Sequence, residues 1–378
     1  MKQSFSKILE NEEGLALAVY HKDELVVDLW GGYADKSCNQ LWKEDTMSRA
    51  YSATKIFGSL VVASLVSQGR LAYQDLVVKH WPEFGKHGKD ILTVEDLVNH
   101  KAGLIAFSAG QFTIEEAKNL DLVSKIIEDS VPYWELGIKR CGYHASTIGF
   151  ILDQLVRRVD EKKRTISQFY LEEVQPNIQH GEQFYIGLPK EKFYLAAPTI
   201  IPTLMETLRY TVKKPIQTLQ FATAKYLDPK GKGLMNLAIT SIEFFEVSNG
   251  KNTYNNPDVI SLQNCASTGV GTARGLAQAA QYFFKSKLIT NEVKEMCKHP
   301  TEKTSDLLID FTFDRGHGFV YLPDRLDEEE FVIVQMGYGG QFCFIDLKND
   351  TTVVLLRNKV MIDFSKSMVQ FCELYYGI

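Results

Sequence analysis

Both ends of the chain carry residue patterns that are typical of β-strands. Leu15 to Tyr20 and Glu24 to Trp30 are apolar runs joined by a short polar segment, which predicts a hairpin. We expect Gly31-Gly32 to end the second strand. Three further strand-like runs lie near the C-terminus, and residues 359–376 predict a closing helix. The C-terminal runs are residues 331–335, 342–347 and 352–356.

The middle of the chain instead repeats apolar residues at helical spacing. Between Pro198 and Asn256 the pattern is less regular and predicts a helical insertion with long loops. The simplest packing joins the strands of both ends in one antiparallel sheet, with the helices in a second lobe. The predicted helices cover residues 52–69, 93–100, 146–159 and 272–287.

The predicted organisation is a single α/β domain (α+β type) over residues 1–378. A sheet lobe takes residues 1–50 and 310–378, and a mainly helical lobe takes residues 51–309, with the insertion at about 198–256.

Composition and charge exclude several classes of function. The net charge is −5 and no basic stripe is present, so we expect no nucleic-acid partner. No run reaches the ~18 apolar residues of a membrane span. The N-terminal residues also lack the apolar region of a secretory signal, from which we expect a cytoplasmic protein.

The cysteines predict neither a metal site nor a redox site. They are widely spaced and form no C-x-x-C pair, so we expect free, buried thiols and no metal or organic cofactor. They are Cys38, Cys141, Cys265, Cys297, Cys343 and Cys372.

A Ser-x-x-Lys spacing occurs three times, and the pair Ser52 and Lys55 is the strongest catalytic candidate. Serine needs a neighbouring base to become a nucleophile, and residues three apart share one face of a helix. Only this pair opens a long apolar helix; Ser4–Lys7 lies in the N-terminal segment, and Ser248–Lys251 predicts a turn. On the motif alone, Ser52 as a helix cap and Lys55 as a surface residue is an equally good interpretation.

Segments around this pair resemble the β-lactamase-related serine hydrolases, which include class C β-lactamases, DD-peptidases and family VIII-type esterases. The likeness covers most of the chain and implies the β-lactamase/transpeptidase-like fold, with Ser52 as nucleophile and Lys55 beside it. The family usually has Thr or Ser where this chain has Lys101. The similar segments include Val27 to Ala34, Tyr51 to Lys55, Trp81 to Phe84, His100 to Leu104, Gly142 to Ala145 and Gly271 to Leu276.

The resemblance assigns a second motif to Tyr143, whose oxygen would act as general base or acid near the nucleophile. Tyr143 and Lys55 would then share one proton. A β-lactamase usually has asparagine where this chain has Ala145. This difference argues against efficient antibiotic hydrolysis, and we interpret His144 as a structural residue.

The family's third motif, Lys-Thr-Gly or His-x-Gly, corresponds to Gln335-Met336-Gly337. Gly337 would let a substrate approach the strand, whereas Gln335 replaces the cation that binds substrate carboxylates. The resemblance implies an oxyanion hole formed by the backbone N–H groups of Ser52 and Tyr338, worth roughly 3–4 kcal/mol per donor. A plain hairpin turn at residues 337–340 is the simpler interpretation, and it is compatible with the first.

The resemblance thus implies a serine hydrolase that forms an acyl-enzyme on Ser52, acts on a small ester or amide, and has weak or no β-lactamase activity. The alternative is a catalytically reduced homologue that binds a ligand or serves as a scaffold, and Gln335, Met336 and Lys101 favour it. Oligomeric state stays open, a homo-oligomer included.

Overall fold

A computed structural model describes residues 1–107, 110–137, 140–216, 233–242, 247–248, 251–309, 311–327, 329–363 and 365–377. The strands are β1 (Gly14–His21), β2 (Glu24–Asp35), β3 (Gln40–Leu41), β4 (Ser48–Arg49), β5 (Phe184–Ile186), β6 (Val247–Ser248), β7 (Lys251–Asn252), β8 (Gly269–Gly271), β9 (Glu302–Ser305), β10 (Thr312–Gly316), β11 (Phe319–Pro323), β12 (Phe331–Gly337), β13 (Gln341–Asp346) and β14 (Thr351–Arg357).

The α-helices lie mostly between β4 and β9. They are α1 (Lys2–Leu9), α2 (Lys55–Ser67), α3 (Val94–Val98), α4 (Ile114–Lys118), α5 (Leu120–Asp129), α6 (Thr147–Val159), α7 (Ile166–Glu173), α8 (Leu204–Lys213), α9 (Leu234–Thr240), α10 (Pro257–Ile260), α11 (Ala273–Lys285), α12 (Asn291–Met296) and α13 (Ser365–Tyr375).

A nine-stranded antiparallel sheet in the order β3-β2-β1-β14-β13-β12-β11-β10-β9 unites the two ends of the chain. At its centre β1 pairs with β14, from Leu15 opposite Arg357 to His21 opposite Thr351. The predicted pairing of the chain ends in one antiparallel sheet is confirmed. The predicted hairpin is also confirmed, and its turn residues Lys22 and Asp23 both have the positive φ of a tight hairpin turn.

Alternate residues of the central strands supply two separate cores, because side chains of a strand point to opposite faces. Leu15 and Leu17 of β1 pack with α1 and α13 on one face. Ala16 and Ala18 pack with the helices of the middle on the other face. The sheet is therefore the central layer of three, which explains why all seven residues of β14 are buried.

Two predicted element boundaries are wrong. The second strand does not end at Gly31-Gly32 but runs to Asp35, because Gly32 takes a φ of 81° that only glycine adopts easily and the chain continues beyond it. The closing helix begins at Ser365 rather than at residue 359. The backbone of Val360 bonds instead to Ile200, which keeps the preceding segment extended.

The predicted lobe boundary at residue 310 lies too late, since β9 already pairs with β10 inside the large sheet. A small sheet, β4-β8-β5, connects residues 48–49 to the helical middle of the chain. The pattern did not predict it because its strands are only two or three residues long. Of the insertion at 198–256, residues 217–232, 243–246 and 249–250 lie outside the described residues. Its described part contains α8, α9 and the paired strands β6 and β7.

The six cysteines are free, and five are buried as predicted. Cys38 is exposed, which corrects that expectation for one thiol. Within the described ranges, no helix has the length and apolarity needed to cross a bilayer. The same ranges hold no cluster of His, Cys, Asp or Glu suited to a metal ion.

Candidate active site

Ser52 lies in a 3-10 turn, Tyr51–Thr54, that leads directly into α2. Tyr51 has a φ of 48°. This left-handed backbone conformation costs an aromatic residue on the order of 1–3 kcal/mol of conformational free energy. Burial of its ring and a 2.7 Å hydrogen bond between its hydroxyl and Thr199 Oγ1 hold it there. The residue that fixes how the chain enters the serine turn is therefore strained and tightly held.

Lys55 begins α2, and its side chain is buried, with only 6% of its surface exposed. Its Nζ lies 3.1 Å from Ser52 Oγ, 2.7 Å from the carbonyl oxygen of Ala145 and 2.8 Å from that of Ala266. All three partners are neutral oxygens. The interpretation of Lys55 as a solvated surface residue is therefore wrong.

Tyr143 lies on the other side of the serine. Its hydroxyl is 2.7 Å from Ser52 Oγ, and Lys55 Nζ lies 4.8 Å from the centre of its ring. Ser52 Oγ thus sits between a phenol and an amine. Ser52 and Tyr143, which lie 91 positions apart in the sequence, are therefore joined by a hydrogen bond.

Both neighbours donate to the serine oxygen. The Tyr143 hydroxyl and Lys55 Nζ each donate to Ser52 Oγ, and Lys55 Nζ also donates to the carbonyls of Ala145 and Ala266. Both lone pairs of the serine oxygen are therefore engaged by the two candidate partners.

The carbonyl of Ala266 is held by a network around Asn264. Asn264 Oδ1 accepts from the backbone N–H of Ala266 at 2.7 Å, and its Nδ2 donates to the carbonyl of Ser146 at 3.2 Å. Gly149 of α6 allows this approach, because a Cβ there would lie 2.0 Å from Asn264 Oδ1. One amide side chain thus connects the start of α6 to the loop that contacts Lys55.

Asp306 holds the Tyr143 segment from the opposite side. Its Oδ1 accepts the backbone N–H of Tyr143 at 3.1 Å and that of Leu308 at 3.0 Å. Its Oδ2 forms a 3.0 Å ion pair with Arg315, and both side chains are almost fully buried. Tyr143 is therefore anchored to the loop between β9 and β10.

His144 is a structural residue, as the sequence suggested. Its Nδ1 lies 2.6 Å from the carbonyl of Gly142, and its Nε2 accepts the backbone N–H of Leu104 at 2.9 Å. Burial lowers the pKa of His144 to about 4, which keeps the ring neutral. Its backbone N–H donates to Nδ1 of His100, and burial holds the pKa of His100 well below its usual value.

The third-motif strand, β12, passes directly beside the serine turn. A Cβ on Gly337 would lie 2.3 Å from the carbonyl oxygen of Ala50, so only glycine allows this approach. Tyr338 follows at the turn into β13 and is 43% exposed. Its ring packs edge-on against Tyr51, with 5.7 Å between centroids, and at 5.9 Å from Tyr254. Gly337 and Tyr338 therefore adjoin the serine turn.

Gln335 shares a strand face with Gly337, two residues away. It is only partly buried, and among the described residues no hydrogen bond joins it to Ser52, Lys55 or Tyr143. Met336 points to the opposite face and packs in the core against α1 and α13.

Lys101 takes no part in the site. Its Nζ forms a 2.6 Å ion pair with Glu302 and a 3.5 Å pair with Asp96. The hydrogen bond and charge of Glu302 outweigh burial and raise the pKa of Lys101. Its departure from the family pattern therefore serves the contact between the α3 end and β9.

Sequence reasoning missed the contributions of Ala266, Asn264 and Asp306. A backbone carbonyl carries no signature in residue identity, so Ala266 could not have been found. The polar residues Asn264, Ser267 and Thr268 just before Gly269 were the available signal of an ordered loop.

The fold and this constellation define a protein of the β-lactamase/transpeptidase class. A family model described as beta-lactamase matches residues 1–363, and the chain belongs to that family.

Among curated proteins, the chain is 35% identical over 154 residues to "Esterase/beta-lactamase LipL" of Mycobacterium tuberculosis, a match covering 39% of this chain and 34% of the relative. It is 32% identical over 95 residues to "Esterase EstB" of Burkholderia gladioli, covering 24% of each. The matched segments thus span about a third or less of these relatives' length.

Among solved structures, a family VIII carboxylesterase superposes with a TM-score of 0.83 at 22% identity, covering 100% of this chain and 96% of the other. A penicillin-binding protein homologue from Caulobacter crescentus gives a TM-score of 0.78 at 25% identity, with the same coverage. The fold predicted from the resemblance is confirmed.

The Asp306–Arg315 pair predicts a large loss of stability on truncation. Asp306→Ala leaves Arg315 buried without its partner, so we expect about 3–5 kcal/mol of destabilisation in urea unfolding. Adding Arg315→Met in the same chain should restore much of this loss, because the unpaired charge is removed. Equal stability of the single and double variants would contradict the assignment.

Proposed function

We propose that this protein is a serine hydrolase that cleaves a small ester or amide through an acyl-enzyme on Ser52. The observation that carries the proposal is the position of Ser52 Oγ between Tyr143 and Lys55, at 2.7 and 3.1 Å. In this proposal one of the two partners takes up the serine proton as Oγ attacks, which makes the serine a nucleophile. The names of the esterase relatives support the same class of reaction.

In the acylation step, Ser52 Oγ attacks the carbonyl carbon while its proton passes to the Tyr143–Lys55 pair. The pair then gives the proton to the leaving alkoxide or amine as the tetrahedral intermediate collapses. Water attacks the resulting ester by the reverse proton path and releases the acid. Lys55 keeps its two carbonyl contacts throughout, which fixes its Nζ beside the reacting oxygen.

We assign the oxyanion hole to the backbone N–H groups of Ser52 and Tyr338. The close approach of Gly337 to Ala50 supports this assignment, because it brings the end of β12 against the serine turn. Donors fixed by a turn and a strand need no reorganisation as charge develops.

We propose uncharged substrates rather than penicillins or D-Ala-D-Ala peptides. Gln335 stands where the family has a cation, so a substrate carboxylate lacks its usual partner. Ala145 contributes its backbone carbonyl to Lys55 but has no amide side chain for a β-lactam. Tyr338 presents an exposed aromatic ring near the nucleophile instead.

A second candidate is a catalytically reduced homologue that binds a ligand. Gln335 and Met336 favour it, whereas the ion pair of Lys101 with Glu302 gives that substitution a structural explanation. The contacts of Ser52, Lys55 and Tyr143 favour the enzyme. Covalent labelling separates the two candidates.

A fluorophosphonate probe should label the native protein and should fail to label Ser52→Ala, because only an activated serine attacks phosphorus at a useful rate. Ser4→Ala is the matched control, since Ser4 has a lysine at the same spacing but precedes the fold's first strand. Labelled protein is measured by gel fluorescence and intact mass. A folded native chain that takes no label sinks the enzyme proposal.

Lys55→Ala and Tyr143→Phe should each reduce kcat/KM for p-nitrophenyl acetate or butyrate by about 10² or more, because each removes one member of the pair that we propose takes up the serine proton. Lys7→Ala and Tyr194→Phe are exposed controls that should retain native turnover. Near-native rates in either test variant would remove that residue from the mechanism.

Nitrocefin should be a poorer substrate than p-nitrophenyl butyrate in kcat/KM, because its carboxylate finds no cation at Gln335. Gln335→Lys should raise relative nitrocefin turnover and leave the neutral ester less affected. A native preference for nitrocefin would contradict the assignment to neutral substrates.

A further inference from the structure

Helix α8 turns its polar face to the protein and its apolar face to the solvent, the reverse of an ordinary surface helix. Its polar side faces the protein: Glu206 forms a 2.6 Å ion pair with Lys359, and Tyr210 is partly buried. Just after the helix, Lys214 pairs with Asp363 at 2.6 Å. A surface helix of a globular protein normally turns its apolar stripe to the core.

The apolar side of α8 faces outward as a continuous stripe. Residues four apart lie on one face of a helix, so Leu204, Leu208 and Val212 are aligned and Met205 adjoins them. Their exposed fractions are 74% for Leu204, 60% for Met205, 49% for Leu208 and 80% for Val212. Ile216 beyond the helix end is 69% exposed. We call these five residues the α8 stripe.

The helix lacks the usual source of helical stability. It has ten residues, and none of them is buried. Isolated helices shorter than ~12–15 residues are marginal in water, and tertiary burial of an apolar face normally stabilises them. A capping box at Thr203 and two ion pairs hold α8 in place, while its apolar face lacks a covering layer among the described residues.

The α8 stripe lies close to the candidate active site. Thr199, which contacts the Tyr51 hydroxyl, precedes the first residue of α8 by five positions, a span of about 18 Å at most. The segment that anchors α8 also packs on the third-motif turn, where the N–H of Met361 donates to the carbonyl of Gly339 at 3.2 Å. The first residue of α8 therefore lies within about 18 Å of Thr199, and the segment that anchors the helix contacts the turn after β12.

Two exposed cations, Arg209 and Lys213, flank one edge of the stripe. An aliphatic stripe bordered by cations is typical of helices that lie in a lipid interface. A protein interface is enriched in aromatic residues, Met and Arg and is poor in lysine. Met205 and Arg209 fit either partner, whereas an aliphatic stripe without an aromatic residue, bordered by Lys213, fits a lipid surface better. The charge and the composition therefore favour a lipid partner over a protein partner.

We propose that the α8 stripe binds a lipid surface that carries anionic headgroups. The aliphatic side chains enter the acyl boundary while Arg209 and Lys213 contact the headgroups. The binding claim stands on α8 alone and does not need the proposed hydrolysis.

Flotation with phosphatidylcholine vesicles, with and without phosphatidylglycerol, tests the proposal on the full chain. We expect the native protein to float with the anionic vesicles, and added salt to weaken the binding. Leu208→Gln with Val212→Gln should reduce the partition coefficient about tenfold or more. Arg209→Gln with Lys213→Gln should reduce binding to anionic vesicles and leave any binding to neutral vesicles unchanged.

Val26→Gln with Leu326→Gln is the matched control, since these exposed aliphatic residues lie on β2 and after β11, outside α8 and the segment that anchors it. Far-UV circular dichroism and thermal unfolding establish that each variant is folded.

The proposal is overturned if the folded native chain does not float with the vesicles. It is also overturned if the stripe variant and the control variant float equally well. A dimer in solution that the stripe variant alone dissociates also overturns it, because a second copy then covers the stripe. Vesicle binding needs no turnover, so its failure is distinguishable from failure of the hydrolase proposal.

Discussion

The buried Nζ of Lys55 is the point on which the site depends. Its three oxygen contacts come from the serine turn, from the segment before α6 and from the loop before β8. A buried amine whose hydrogen bonds are incomplete is costly, so all three segments must be in register at once. The positions of Ser52, Ala145 and Ala266 are thereby tied to one another, and Tyr143, two residues before Ala145, is placed with them.

The supports of this arrangement belong to both lobes. Asp306 reaches Tyr143 from the loop between two strands of the large sheet, whereas Asn264 and Gly149 hold the Ala266 carbonyl from within the helical lobe. Gly337 brings a third strand of the sheet against the turn. The candidate site therefore draws on both the large sheet and the helical middle of the chain, and segments of both converge on one serine.

Residue patterns predicted the parts of this fold that repeat regularly. The hairpin at the N-terminus, the strands near the C-terminus and the long helix after Ser52 follow from periodicity, and Ser52, Lys55 and Tyr143 were proposed together from resemblance to a family. The small sheet beside the site could not be predicted, because strands as short as Ser48–Arg49 have no period. Asp306 was not found because its role depends on a tertiary contact with a residue 163 positions away.

The pairing of β1 with β14 has a consequence during synthesis of the chain on the ribosome. His21 in β1 lies 330 residues before its partner Thr351. At the usual rate of translation, roughly 15–65 s separate the synthesis of β1 from that of β14. During this interval the first hairpin presents one open, strongly apolar strand edge, and such edges recruit other chains. The edge of β1 that pairs with β14 is closed only after the last strands of the chain have been made.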